Sequence, residues 1–107
     1  MTFTEIANLI ASFGFSWRYS HFSQTPETPY VVYYFPNDND VYADDSNYVN
    51  KRALHIELFT KAKDPTSEAT IEAKLKEAGL TWYKQTDFLN DELLFQTTYE
   101  LEVIING

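Results

Sequence analysis

The residues with most chemical potential here are four aspartates in one loop, Asp38, Asp40, Asp44 and Asp45, and two well-separated histidines, His21 and His55. Carboxylates at alternate loop positions are how proteins build calcium sites, because a hard cation takes about six to eight oxygens from a short segment. The required order is missing. Tyr42 occupies the next alternate position after Asp40, no Gly follows for the sharp turn, and no Glu closes the loop at the right distance. The sequence predicts a solvated acidic loop without metal. Zinc needs three or four ligands, and without cysteine the two histidines would have to recruit Asp and Glu from elsewhere. Ser20 and His21 are adjacent, and neighbours in a strand point to opposite faces, so no nucleophile–base pair is expected. Glu100 and Glu102 share a strand face, as do many solvent-facing glutamates. There is no Gly-x-Ser-x-Gly elbow, phosphate-cradling glycine loop or dinucleotide fingerprint. The expectation is no enzyme activity and no cofactor; a small enzyme or ligand-binding domain would have to use a pocket among Trp17, His21 and Tyr33.

The aspartate loop is also rich in tyrosine. Tyr30, Tyr33, Tyr34, Tyr42 and Tyr48 bracket it, and tyrosine suits protein interfaces because it joins apolar area to a polar tip. Between the runs Pro29-Tyr30-Val31-Val32-Tyr33-Tyr34-Phe35 and Leu54-His55-Ile56-Glu57-Leu58-Phe59 the connection is longer than most in a compact domain. Connections of that length tend to carry function. The predicted protein interface is therefore Asp38, Asp40, Tyr42, Asp44, Asp45 and Tyr48. Aromatic residues on strands also serve as base-stacking platforms, but those sit in a basic groove. This chain carries a net charge of −8, with eight Lys and Arg scattered along it. Direct nucleic-acid binding is disfavoured, since affinity for phosphate depends on clustered cations.

A length of 107 residues fits one domain spanning 1–107, and 44% hydrophobic with 17% aromatic residues supplies a core. Glu5 and Asn8 interrupt what would be the apolar region of a signal peptide, and no apolar run approaches the roughly twenty residues that cross a bilayer. The expected setting is the cytoplasm or an assembly made there.

These residues need a frame. Thr2-Phe3-Thr4-Glu5 has capping-box spacing, and Phe3, Ile6, Ile10 and Phe13 recur with helical period until Gly14, which predicts a helix over residues 3–13. Alternation over 15–22 sets Phe15, Trp17, Tyr19 and His21 against Ser16, Arg18 and Ser20, the pattern of a half-buried strand. Further strands are predicted at 30–35 and 53–60. Asp64-Pro65 opens a second helix over 65–78, stopped by Gly79, with Glu68, Glu72, Lys74, Lys76 and Glu77 exposed. A strand over 80–88, a turn at Asn90-Asp91 and a long strand over 93–105 complete the chain. The fold class is α+β: an antiparallel or mixed sheet of about five strands with two helices packed on one face.

Pro29-Tyr30-Val31-Val32-Tyr33-Tyr34, Val41-Tyr42-Ala43-Asp44-Asp45-Ser46-Asn47-Tyr48 and Ile56-Glu57-Leu58-Phe59-Thr60-Lys61 together resemble a known family. Ile71-Glu72-Ala73-Lys74-Leu75, Gly79-Leu80 and Glu92-Leu93-Leu94-Phe95-Gln96-Thr97-Thr98-Tyr99-Glu100 extend the likeness from about residue 5 to 105. The sequence resembles the small head–tail joining, or tail-completion (tail terminator), proteins of phages and prophages with long non-contractile tails. That resemblance implies a virion structural protein at the head–tail junction, assembled in the bacterial host cytoplasm. It further implies a homo-oligomer, commonly a six-fold ring, that contacts the tail tube protein and the head-completion or connector proteins. No cofactor, membrane or sequence-specific nucleic acid is implied. If subunits line a channel for DNA, surplus carboxylates would keep phosphates from sticking. The alternative is an acidic DNA mimic that inhibits a basic partner.

Overall fold

The computed structural model describes residues 1–36 and 50–106. Its first helix, α1 (Phe3–Ala11), starts with the expected capping box: Thr2 Oγ1 accepts from the Glu5 amide at 3.0 Å, and Glu5 Oε1 accepts from the Thr2 amide at 2.8 Å. The helix ends two residues before the predicted position. Phe13 and Gly14 donate instead to the carbonyls of Ile10 and Ala11, three residues back, so the chain tightens into a turn with Gly14 at φ 89°. Phe13 stays buried beyond the helix end, whereas Phe3 is half exposed and meets the Phe35 ring edge-on at 5.4 Å.

The strands are β1 (Ser16–Tyr19), β2 (Tyr30–Tyr34), β3 (Asn50–Thr60), β4 (Tyr83–Leu89) and β5 (Leu94–Ile105), with α2 (Pro65–Glu77) between β3 and β4. They form one mixed sheet in the order β1-β2-β3-β5-β4, parallel between β1 and β2 and antiparallel elsewhere. The α+β expectation is met. The crossover through α2 carries the chain from β3 to the far edge, and the turn after β4 folds β5 back between the two. β5 is long because it pairs with β3 along one side and with β4 along part of the other.

Period two then sorts the residues. Val31, Tyr33, Leu54, Ile56, Leu58, Tyr99, Leu101, Val103 and Ile105 face the helices, where they pack with Ile6 and Ile10 of α1 and Ile71 and Leu75 of α2. Tyr33 therefore belongs to the core.

β2 ends at Tyr34 and α2 at Glu77, each one residue before the expected end, and the other four strands also differ from expectation. β3 begins at Asn50, three residues early, because β5 extends to pair with it. β4 begins at Tyr83: Leu80 and Trp82 pack against the core instead of joining the ladder. Leu93 is not in a strand but lies in the turn, at φ 56° and largely exposed. β1 ends at Tyr19. Ser20 takes φ 75°, and the His21 amide donates to the Tyr19 carbonyl at 2.9 Å, so the chain reverses in a γ-turn.

The second correction to the pattern is on α2. Asp64 caps it, accepting from the Ser67 amide at 3.1 Å and the Ser67 hydroxyl at 2.7 Å, and these bonds hold its carboxyl below the usual value. Glu68, expected in solvent, is buried, and Glu72 is half-buried. Lys84 of β4 explains both. Its Nζ lies 2.7 Å from Glu68 Oε1 and 2.7 Å from Glu72 Oε2, while the Tyr99 hydroxyl donates to Glu72 Oε2 at 2.9 Å. With only Ile71 and Leu75 of the helix deep in the core, this network is the second attachment of α2 to the sheet.

Candidate protein interface on the open face

Among the described residues, no helix packs on the other side of the sheet. Along it lie Arg18 of β1, Tyr30, Val32 and Tyr34 of β2, Ala53, His55, Glu57 and Phe59 of β3, Thr98, Glu100 and Glu102 of β5, and Tyr83, Gln85 and Asp87 of β4. This face has two halves with different chemistry.

The β1–β2 half is closed by the chain itself. Because β1 and β2 are parallel, residues 20–29 must return across the sheet. Phe22 on that return meets the Tyr30 ring at 5.6 Å, and Tyr30 stacks on Phe59 at 4.9 Å with the rings 16° apart. Arg18 sits over Phe22, its guanidinium 5.8 Å from the ring centre. Tyr30 is consequently buried although neither α1 nor α2 covers it.

The middle is a polar chain across strands. Tyr34 donates its hydroxyl proton to Glu57 Oε2 at 2.8 Å, and His55 Nδ1 lies 3.3 Å from the same hydroxyl. Since the tyrosine proton is committed to Glu57, that contact is a hydrogen bond only if Nδ1 donates. Burial, then the bond to Glu57, then the charges of Glu57 and Glu100, push the Tyr34 hydroxyl up to about 12. A phenol so held stays neutral at physiological pH: it is a donor that braces β2 to β3, not a base or nucleophile. Its contribution to stability is fully present below pH 10.0 and is lost as pH rises through about 12. Tyr34→Phe should lower the unfolding free energy by about 0.5–1.5 kcal/mol at neutral pH and shrink the decline in alkali. Urea midpoints measured on both sides of this window test it, and a variant with an unchanged alkaline decline would refute the assignment.

The β5–β4 half is open and acidic. His55, Glu100 and Tyr83 stand in one row across three strands, with Ala53 and Glu102 in the row beyond. Since β4 begins at Tyr83, no β4 residue lies beside Glu102, and Ala53 has almost no side chain to fill the gap. The result is a depression of about 380 Å³ lined by Ala53, His55, Thr81, Trp82, Tyr83, Glu100, Leu101 and Glu102.

Asp38, Asp40, Tyr42, Asp44, Asp45 and Tyr48, the interface expected from sequence, lie outside the described residues. His55 is half-buried beside Tyr34, their rings edge-on at 5.4 Å, whereas His21 is exposed past the end of β1. The Trp17 and Tyr33 rings do meet, at 6.1 Å, but on the helix side of the sheet, with Tyr33 buried. The expectation that Ser20 and His21 could not pair is wrong. The left-handed Ser20 ends the strand and brings its Oγ to 3.2 Å from His21 Nδ1, with both residues exposed. Among the described residues no three His, Cys, Asp or Glu are grouped as metal ligands, and no helix is long and apolar enough to cross a membrane.

Sequence reasoning missed the depression and the Lys84 network. The available signal was the pair Trp82-Tyr83 standing where alternation starts, but the vacancy beside Glu102 depends on register, which no single segment reveals. No family model matches the chain, and no curated protein matches it.

Proposed function

We propose that this chain is a virion structural subunit of a long-tailed phage or prophage that joins tail to head or ends the tail tube as a ring of copies, acting through protein contacts and not by catalysis. The observation that carries this reading is the asymmetry of the sheet. Both helices pack on one face, while the other carries the half-buried Tyr34, His55 and Glu57 beside the exposed Glu100 and Tyr83. The polar groups that meet there form a strand-bracing chain, with the phenol held neutral and no nucleophile within it. Such a face is suited to recognition, and a ring needs a heterologous surface of this kind on each copy. Of the segments that resemble tail-completion proteins, 41–48 lies outside the described residues, and the others fall mainly on β2, the end of β3, α2 and the start of β5.

Electron microscopy of particles made in the bacterial host with this gene deleted is the test. The expected result is tail tubes of uncontrolled length, or finished tails unable to join heads, with complementation by the wild-type gene. Normal, joined tails in the deletion would overturn the reading.

A further inference from the structure

We propose that the depression at the start of β4 is a docking site for a lysine or arginine side chain on a basic segment of a partner protein. The inference rests on the reading of this face as a protein-contact surface, and it specifies the partner's chemistry.

The lining defines what fits. Ala53 leaves the space, Tyr83 supplies aromatic surface, and Glu100 and Glu102 supply two carboxylates two residues apart on the same face of β5. Tyr83 is 67% exposed, so its ring is available to a cation arriving from solvent. Glu100 makes no salt bridge among the described residues. Among the described residues Glu102 pairs with Lys51, at 4.0 Å with both side chains more than 60% exposed, a contact that solvent screens heavily. A guanidinium or ammonium entering here would gain the aromatic face of Tyr83 and two carboxylates that the fold leaves largely unneutralised, and its stem would lie along Ala53. An anionic or purely apolar ligand would meet Glu100 and Glu102 at the mouth.

The backbone favours an extended segment as the bearer of that side chain. β4 pairing stops at Tyr83 opposite Glu100, and the Met1 nitrogen donates to the Ile104 carbonyl at 2.7 Å, so at Glu102 between them β5 meets no strand of the described residues on that side. A short extended peptide can add its own hydrogen bonds at such an edge. A second copy seated symmetrically on this face would set Glu100 and Glu102 against the same carboxylates of its mate, in a chain already at net charge −8.

The test is a two-dimensional NMR titration of the full chain with a tetra-arginine peptide and, separately, a tetra-glutamate peptide. Shifts confined to His55, Trp82, Tyr83, Glu100 and Glu102 on adding tetra-arginine, and none on adding tetra-glutamate, are expected. Glu100→Gln with Glu102→Gln should weaken that binding at least tenfold, and Tyr83→Ala severalfold. A control pair remote from the depression, Glu77→Gln with Asp91→Asn, should change it less than twofold. Shifts spread over all acidic residues, or equal losses in the two carboxylate pairs, would mean only non-specific attraction and overturn the site. Sedimentation showing self-association abolished by Glu100→Gln with Glu102→Gln would also overturn it, by assigning the face to a second copy. Since the peptide titration reads this site and the gene deletion reads tail assembly, either proposal can fail without the other.

Discussion

Tyr99→Ala should lower the unfolding free energy by about 3–5 kcal/mol, while Tyr99→Phe should cost only about 1 kcal/mol. Tyr99 is completely buried on the helix side of β5, with its ring 6.4 Å from that of Trp82 and its hydroxyl bonded to Glu72 of α2 at 2.9 Å. Alanine loses the apolar burial and leaves a cavity beneath Lys84, whose Nζ sits 5.9 Å above the ring centre. Phenylalanine keeps the ring and loses one bond to a half-buried carboxylate. Burial, followed by the Glu72 bond and the charges of Glu72 and Glu68, pushes the Tyr99 hydroxyl upward. Its contribution is therefore fully present below the ordinary tyrosine value of 10.0 and is lost only in stronger alkali. Urea unfolding of both variants is the measurement. Equal losses for the two would show that the hydroxyl, not the packed ring, carries the effect.

The second large effect is expected at Lys84. Lys84→Met should cost about 2 kcal/mol, because it leaves Glu68, which is 8% exposed, with only Lys63 at 3.5 Å, and Glu72 with only the Tyr99 hydroxyl. Breaking a fully buried ion pair costs about 3–5 kcal/mol, but the Lys84 side chain is 35% exposed, and solvent takes part of that interaction. Adding Glu68→Gln to Lys84→Met should recover some of the loss by removing the uncompensated charge. A double variant weaker than Lys84→Met would show that Glu68 is held by something other than the lysine. Burial alone would lower the Lys84 amine, but its bonds to Glu68 and Glu72 outweigh that and raise it above 10.5. The network is thus intact below that pH and weakens above it, the same direction as for Tyr34 and Tyr99. Burial raises the buried Tyr30 and Tyr33 in the same direction, so five groups contribute to the loss of stability in alkali.

Lys84 also shows where local pattern fails. Glu68 and Glu72 look like solvated residues on a charged helix, and the alternation of β4 is weak, so neither segment announces a partner. Only the α2 crossover, which sets β4 two strands away from β3, brings them together. The helix N-caps, by contrast, are local: Thr2 with Glu5, and Asp64 with Ser67, lie three residues apart and need no tertiary context.

The sequence alone determined which residues form the two helices, which alternating runs form strands, and which side of β3 and β5 is apolar, because each depends on periodicity within a dozen residues. Tertiary structure decided the parallel pairing of β1 with β2, the return of residues 20–29 that buries Tyr30, and the row His55–Glu100–Tyr83 with its vacancy beside Glu102. Those features arise from register between strands distant in the chain, and register is fixed only when all faces seek the core together.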